Sequence, residues 1–255
     1  MLDGFRRRYL NVLGSIYIYN EHRGYTALDR VLEAVRTHFP ENREFIAAIE
    51  KHRADEYKHY GMFKRWFERR GTMPYAVDRT FGHIDRFIGI MFGSTIDTLD
   101  TEAVIGSESE FAKLCRVIAL TERRGFQQVE ILLRNRMVRD DKILTRIFRI
   151  IEKDEPSHWS PYERWLDARG GRTPGWWERL VDRFIHSELM ILKIPVLFVI
   201  PKLARRTRWP HEDEPVVRPR LSAEIACPRK SGIAASIQPD ARVEAVELAA
   251  SASRI

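Results

Sequence analysis

Apolar residues recur at spacings of three and four along residues 14–170, and the alternation that marks strands is rare. Four interruptions rich in proline, glycine or charge divide this stretch: THFPEN at 37–42, RRGTMPYAVDRTFGH at 69–83, RMVRDD at 136–141 and ARGGRTPG at 168–175. The intervening residues have high helix propensity. The pattern therefore predicts an all-α fold with four long helices, numbered first to fourth in chain order.

The connection between the second and third long helices is the longest. It contains IDRFIGIMFGSTIDTLDTEAV at 84–104, which predicts a short helix within a long crossover. Residues 175–209 predict an additional C-terminal helix. From residue 210 proline, alanine, serine and isolated charges replace the periodic pattern, as is typical of disordered chains. We expect a helical bundle at 1–168, a helical extension at 175–209 and a disordered tail at 210–255.

The composition indicates the cellular compartment of the protein but does not identify its binding partner. The 255 residues include only two cysteines, Cys115 and Cys227, so neither a disulfide framework nor a CxxC zinc site is expected, which suits a reducing cytoplasm. The N-terminal MLDGFRRRYL lacks the apolar run of a signal peptide, and no apolar stretch is long enough to span a bilayer. The net charge of +7 is scattered among acidic residues and selects no partner.

Each long helix carries one glutamate on its otherwise apolar face, although an unpaired buried carboxylate is costly. In the second and fourth helices this glutamate is followed by histidine at helical spacing, in DEYKHY at 55–60 and DEPSHW at 154–159. Each of these two helices therefore offers a carboxylate oxygen from glutamate and an imidazole nitrogen from histidine on the same face. The six candidate residues are Glu21, Glu56, His59, Glu122, Glu155 and His158.

The four glutamates are expected at one depth. In an antiparallel helical hairpin, residues equally distant from the turn lie side by side. The midpoint between Glu21 and Glu56 falls within the first interruption, and the midpoint between Glu122 and Glu155 falls within the third. Four carboxylates at one level would repel each other without a cation, but with two imidazoles they match the ligand set of two divalent metal ions.

This pattern resembles the ferritin-like superfamily, in its carboxylate-bridged di-iron oxygenase and hydroxylase type, over roughly residues 10–168. The resemblance implies a four-helix bundle that binds two iron ions, with manganese as the alternative for one or both. It also implies the ligands: Glu21 from the first helix, Glu56 and His59 from the second, Glu122 from the third, and Glu155 and His158 from the fourth.

Two neighbouring residues modify this expectation. His52 lies one turn before Glu56 and is interpreted as an interior or surface histidine rather than a ligand. Pro156 lies inside the second motif, where it removes a backbone hydrogen bond and predicts a kink, a bulge or an early end in the fourth helix.

The resemblance implies an oxidoreductase that activates O2 to hydroxylate, desaturate or otherwise oxidise a substrate, with a reductase or ferredoxin as electron donor. An apolar run at 189–203 and basic residues at 202–208 favour a lipophilic substrate, such as a lipid, a quinone precursor or an isoprenoid. Such a segment is typical of a helix that lies on a membrane surface. The alternative is that the segment packs over the bundle as a fifth helix, kinked at Pro195. The expected location is cytoplasmic, and in the first case residues 189–209 lie at the inner face of the membrane.

Two other functions remain open. DEYKHYGMFKRWFERRG at 55–71, VIALTERRGFQQVEIL at 117–132 and DEPSHWSPYERWL at 154–166 are similar to helices of ferritin-like tRNA hydroxylases, which implies tRNA as the alternative partner. Non-catalytic iron binding, or ferroxidase activity, is the third interpretation, and it predicts ferrous oxidation without an organic product.

Overall fold

The computed structural model describes residues 2–170, 174–200 and 202–212. This part of the chain is helical and contains no strand; one isolated antiparallel bridge joins Tyr75 to Arg205. The predicted all-α class is confirmed for these residues. Of the predicted tail, residues 210–212 form a 3₁₀ turn, and the remainder lies outside the described residues.

Ten α-helices are assigned in the described part of the chain. They are α1 (Leu2–His38), α2 (Arg43–Arg69), α3 (His83–Phe92), α4 (Thr101–Gly106), α5 (Glu108–Arg134), α6 (Arg136–Arg139), α7 (Lys142–Asp154), α8 (Pro156–Asp167), α9 (Trp176–Ser187) and α10 (Ile194–Val199). A π-helical segment at Glu188–Lys193 joins α9 to α10, and a 3₁₀ turn at Arg79–Phe81 precedes α3.

Four helical columns surround the interior: α1, α2, α5, and α7 followed by α8. The most extensive contacts join α1 to α2 and α5 to α8, and α2 also packs against α7 and α8. The buried apolar residues form two clusters, one around Phe111 and Trp165 and the other around Phe63 and Phe148. In every column the inward glutamate lies between residues of one cluster and residues of the other, so the two clusters enclose the glutamates from both ends.

The second and fourth columns both start with an N-cap residue whose side chain accepts a backbone hydrogen bond. Asn42 Oδ1 accepts a hydrogen bond from the backbone N–H of Phe45 at the start of α2, and Asp141 Oδ1 accepts one from Leu144 at the start of α7. Each cap satisfies a helix N–H that has no partner within the helix. Both glutamate-histidine motifs are thereby held at similar distances from a fixed helix start.

The fourth column is interrupted at Glu155, beside the proline that the sequence singles out. Pro156 has no N–H and begins α8, while Glu155 keeps helical dihedrals of −48° and −44°. The hydroxyl of Ser157 donates to the carbonyl of Asp154 at 2.8 Å and partly replaces the disturbed backbone pattern. Because the chain keeps its helical direction, Glu155 and His158 remain on the same inward face.

The two halves of the structure repeat each other. Both α2 and α8 end in the pattern Trp-x-x-x-Arg-Gly, at 66–71 and 165–170. In each copy the guanidinium lies over the tryptophan ring, 4.5 and 4.2 Å from the ring centroid. The closing glycine has a positive φ, +60° in one copy and +63° in the other.

The flanking helices α3 and α9 belong to the same repeat. Both contain Asp-Arg-Phe-Ile, at 85–88 and 182–185. The aspartate of α3 accepts hydrogen bonds from Arg23, and that of α9 accepts them from Arg124. Each arginine lies two residues after an inward glutamate, so each half attaches its flanking helix through the same kind of ion pair.

Substituting the two closing glycines tests the repeated helix ends. Because L-residues are strained at positive φ, Gly71→Ala and Gly170→Ala should each lower the free energy of unfolding by about 1–2 kcal/mol. Gly61→Ala is the matched control: it lies within α2 with no atom near its added Cβ and should raise stability by about 0.5–1 kcal/mol. Denaturant unfolding measures all three, and equal effects would contradict the assigned helix ends.

Candidate metal centre

All six predicted side chains meet in the interior, between the two apolar clusters. His59 is fully buried, and its Nδ1 lies 3.3 Å from Glu21 Oε2 and 3.9 Å from Glu56 Oε1. His158 is also fully buried, and its Nδ1 lies 3.4 Å from the same Glu56 oxygen. Glu56 Oε1 therefore lies between the histidines of the two motifs.

The second half contributes the remaining oxygens. His158 Nδ1 lies 3.7 Å from Glu122 Oε2 and 3.6 Å from Glu155 Oε2. Glu155 is buried, whereas the side chain of Glu122 keeps 17% of its surface exposed. Side chains from all four columns therefore meet at one level of the interior.

His52 belongs to the same cluster, which the sequence interpretation missed. Its Nε2 lies 3.6 Å from Glu122 Oε1 and 3.9 Å from Glu56 Oε1, and its ring stacks on His158 with centroids 4.2 Å apart. Its other nitrogen lies 3.3 Å from the hydroxyl of Tyr162. The available signal was its position one turn before Glu56, on the same helix face.

The donor atoms fit a pair of cations. Five buried atoms in this cluster have no hydrogen-bond partner: Glu21 Oε2, His52 Nε2, His59 Nδ1, Glu155 Oε2 and His158 Nδ1. Buried polar atoms without partners are uncommon and are explained when they bind an ion. Two sets have donor atoms within 4.8 Å of one another, Glu21 with Glu56 and His59, and His52 with Glu56, Glu122 and His158. Mixed carboxylate and imidazole donors suit first-row transition metals.

The aspartate of each motif orients the histidine of the other motif. His59 Nε2 lies 3.0 Å from Asp154 Oδ2, and His158 Nε2 lies 3.4 Å from Asp55 Oδ2. A carboxylate accepts, so each Nε2 donates, and in the neutral imidazole that binds a metal Nδ1 then keeps its lone pair toward the cluster. The sequence showed both aspartates directly before the inward glutamates, but their crossed pairing depends on how α2 lies against α7 and α8.

One lysine joins the two aspartates. Lys58 Nζ lies 2.5 Å from Asp55 Oδ1 and 2.8 Å from Asp154 Oδ2, and Lys51 Nζ lies 2.5 Å from Asp55 Oδ2. Burial alone would raise the pKa of Asp55, but hydrogen bonds from His158, Lys51 and Lys58 lower it below its usual range. Both carboxylates therefore remain ionised and able to accept from the histidines.

Two glycines lie opposite carboxylates, and one of them, Gly24, makes room for its carboxylate. Gly24 lies three residues after Glu21, and a Cβ there would collide with the carboxylate of Glu56. Gly125 lies three residues after Glu122, and a Cβ there would lie 3.5 Å from Glu155 Oε1. Each glycine on one column therefore faces the glutamate of the neighbouring column, so the short helix-to-helix approach belongs to the site.

Without a cation, the clustered carboxylates compete for protons. Burial and the charges of Glu21 and Glu122 raise the pKa of Glu56 well above its usual range. Burial also raises the pKa of Glu155, to about 8, although the neighbouring imidazole of His158 opposes it. Divalent cations would replace these protons and remove the repulsion.

A cavity of about 170 Å³ lies beside the cluster. Glu21, Glu56 and Glu122 line its inner end. Its walls are mainly apolar and include Leu28, Ile84, Ile88, Ile96, Leu114 and Ile118. Leu189, Met190 and Ile194, from the π-helical segment and α10, also line it, and Met190 is 40% exposed to solvent.

Comparisons of the chain with protein-family models, with curated proteins and with solved structures find no significant match. Among the described residues, no helix is sufficiently long and apolar to cross a membrane. The function is therefore inferred from the geometry of the cluster and its cavity.

Asp55→Asn and Asp154→Asn should weaken metal binding without removing a direct ligand. Each change removes the charge that fixes a histidine tautomer, and such losses typically cost about 10–100-fold in affinity. Manganese titration in competition with a chelator measures this effect. Asp140→Asn is the control because Asp140 is exposed and outside the cluster; equal affinity in all variants would contradict the crossed pairing.

The stability of the metal-free protein should decrease as pH rises from about 7 to about 8. Glu155 has a pKa of about 8 in the folded chain. Burial lowers the pKa of His59, but the neighbouring carboxylates of Asp154 and Glu21 outweigh it and raise this pKa to about 9. Both values exceed those of the unfolded chain, so the folded state binds more protons in this range. Burial lowers the pKa of His52 from its ordinary value of 6.5 to about 4. Its ionisation therefore changes the stability only below about pH 6.5.

Thermal unfolding of chelator-treated protein tests this dependence, with an expected decrease in Tm of several degrees. Glu155→Gln should reduce the slope because it removes one of the ionisations. A Tm that stays constant or rises between these pH values would show that the carboxylates do not carry the protons assigned to them.

Proposed function

We propose that this protein is a ferritin-like, carboxylate-bridged di-iron enzyme that uses O2 to oxidise a lipophilic substrate. The observation that carries this proposal is the convergence of four glutamates and two motif histidines, among which Glu21, His59, Glu155 and His158 each have a buried ligand atom without a hydrogen-bond partner. The paired aspartates support it further, because oriented imidazoles are expected in a metal site and have no evident role in an apolar core.

A ferritin-like bundle accounts for the arrangement of the columns. Each of the four columns supplies one glutamate at the junction of the two apolar clusters, and the second and fourth also supply histidine. The connection from α2 to α5 spans residues 70–107, which suits the long crossover of such folds. The internal repeat gives the two halves equivalent contributions.

The chain offers two neighbouring binding positions. Glu21, Glu56 and His59 would hold one iron ion, and Glu56, Glu122, Glu155 and His158 would hold the other, with His52 beside the second. When bound, two ferrous ions supply the electrons that reduce O2, and an external reductase or ferredoxin restores them. Manganese suits the same oxygen and nitrogen donors at either position.

Tyr17 is the polar side chain best placed to act beside this cluster. Its hydroxyl is buried without a hydrogen-bond partner, and the residue lines the cavity next to Glu21. Burial, followed by the charges of Glu21 and Glu155, raises the pKa of Tyr17 well above its usual value. Tyr17 therefore stays protonated and can donate a hydrogen bond to a molecule in the cavity.

The cavity favours an apolar substrate. Its wall contains polar side chains, but several of these have partners within the protein: Asn20 donates to the carbonyl of Ile16, and Arg30 donates to those of Ile96 and Leu99. Other polar residues of the wall also have internal partners, namely Thr101, Thr121, Arg124 and Gln128. A nucleobase in tRNA would need polar partners that this part of the wall does not offer. A lipid, quinone precursor or isoprenoid would instead bury its apolar surface against the walls.

Iron loading and O2 consumption test the proposal. Protein reconstituted anaerobically with ferrous iron should bind about two ions per chain, as the two donor sets imply, and should consume O2 when exposed to it. Glu56→Ala and Glu155→Ala should abolish loading while leaving helical circular dichroism largely unchanged. Glu50→Ala is the control on the same helix, because Glu50 is exposed and pairs with Arg36.

Product analysis separates the three functions. Incubation of the reduced protein with a lipid extract and O2 should give an oxidised lipophilic product, whereas modified tRNA would favour the hydroxylase alternative. Repeated ferrous oxidation with iron accumulation and no organic product would favour iron handling. Unchanged metal content in both glutamate variants would remove the metal centre and the enzymatic proposal with it.

A further inference from the structure

The segment from Trp176 to Ile200 has an exposed apolar face. Ten of the fifteen large apolar side chains that are exposed in the described residues lie in this one segment. The most exposed include Trp176 at 77%, Ile191 at 71% and Val199 at 76%. An apolar surface concentrated in this way marks a contact with another molecule or a membrane.

The acidic residues of this segment all lie toward the helical columns. Residues 174–200 contain three, namely Glu178, Asp182 and Glu188. Arg116 donates to Glu178 at 2.7 Å, Arg124 donates to Asp182, and Arg86 donates to Glu188 at 2.6 Å. The acids are therefore neutralised by arginines of α3 and α5.

The outward charges are basic. Arg179 and Arg183 of α9 are exposed, and Lys202 and Arg208 are exposed beyond α10. An apolar face bordered by cations, with tryptophans at one end, has the composition of a helix that lies at an anionic lipid surface. A two-fold pairing of this face with a second copy would instead place like charges near each other.

The segment is held in a fixed position. Arg8 of α1 donates to the carbonyls of Leu197 and Ile200 and so satisfies the C-terminal end of α10. The ring of Phe198 packs against Phe5, with centroids 5.7 Å apart. The apolar face therefore needs no unfolding to reach a flat surface.

The exposed face and the cavity meet at the π-helical segment. Met190 is 40% exposed and also lines the cavity, while Leu189 beside it is buried. Pro195 cannot continue α-helical bonding, and the preceding turn widens so that the N–H of Ile194 bonds to the carbonyl of Leu189. The wall between cavity and surface is consequently thin at Met190.

We propose that the apolar face of residues 176–200 docks on an anionic lipid bilayer and that the cavity receives its lipophilic substrate from the bilayer beside Met190. Docking follows from apolar burial together with attraction of the basic residues to anionic headgroups. The substrate route rests on the proposed function, whereas docking requires only the surface of the metal-free chain.

Vesicle sedimentation with the full-length, metal-free protein tests docking. Vesicles of phosphatidylcholine with phosphatidylglycerol should bind the protein, and pure phosphatidylcholine vesicles should bind it at least about tenfold more weakly. High salt should weaken the anionic binding. The double variant Ile191→Ser with Val199→Ser should lower the partition coefficient by about tenfold or more.

A control pair matches these changes outside the segment. Ile131→Ser with Ile143→Ser also removes two exposed isoleucine side chains, at 64% and 42% exposure, and should leave vesicle binding unchanged. Absence of binding by the unmodified protein, or equal binding by both double variants, would overturn the proposal. So would a dimer that only the Ile191 and Val199 variant dissociates, because the face would then join two copies.

Iron loading of the same variants keeps the two proposals distinguishable. The Ile191 and Val199 variant should bind as much iron as the unmodified protein, because neither residue belongs to the candidate centre. Loss of vesicle binding with normal iron content supports docking. Normal vesicle binding by protein that binds no iron would leave docking in place, remove the metal-centre proposal and overturn the substrate route beside Met190 that rests on it.

Discussion

The burial of four glutamates at one level is the constraint on which the rest of this structure depends. Carboxylates that repel each other in an apolar interior must be neutralised, and the ion pairs of these glutamates within the described residues are with histidines. Gly24 leaves space for the carboxylate of Glu56, and the two apolar clusters enclose the glutamates from both ends. The core therefore depends on how this charge is neutralised, by protons and imidazoles in the metal-free chain or by the cations that we propose.

The internal repeat explains how such a site can arise from one supersecondary unit. Each half provides an inward glutamate, an Asp-Glu-x-x-His motif and a flanking helix attached by an arginine. The departures from the repeat lie at the site itself. When Glu56 is aligned with Glu155, Ile151 occupies the position equivalent to His52, and Ser157 occupies the position equivalent to Lys58. One half therefore receives an additional imidazole, which makes the two sets of donor atoms chemically unequal.

The flanking helix α9 and its continuation connect the interior to the surface. Their acidic residues are used to attach the helix, and their apolar residues are divided between the cavity wall and solvent. This division is possible because α9 and α10 cover only one side of the columns. The cavity consequently extends from the glutamates to a side chain at the surface, within a single chain.

The sequence by itself determined the helical class, the inward glutamates and the glutamate-histidine pairs, because helical periodicity acts between residues three and four positions apart. The common level of the glutamates also followed from sequence, since hairpin turns relate residues by distance along the chain. Only the tertiary structure decided that Asp154 serves His59 and Asp55 serves His158, and that His52 joins them. Those contacts depend on the separation and rotation of packed helices, which no local pattern specifies.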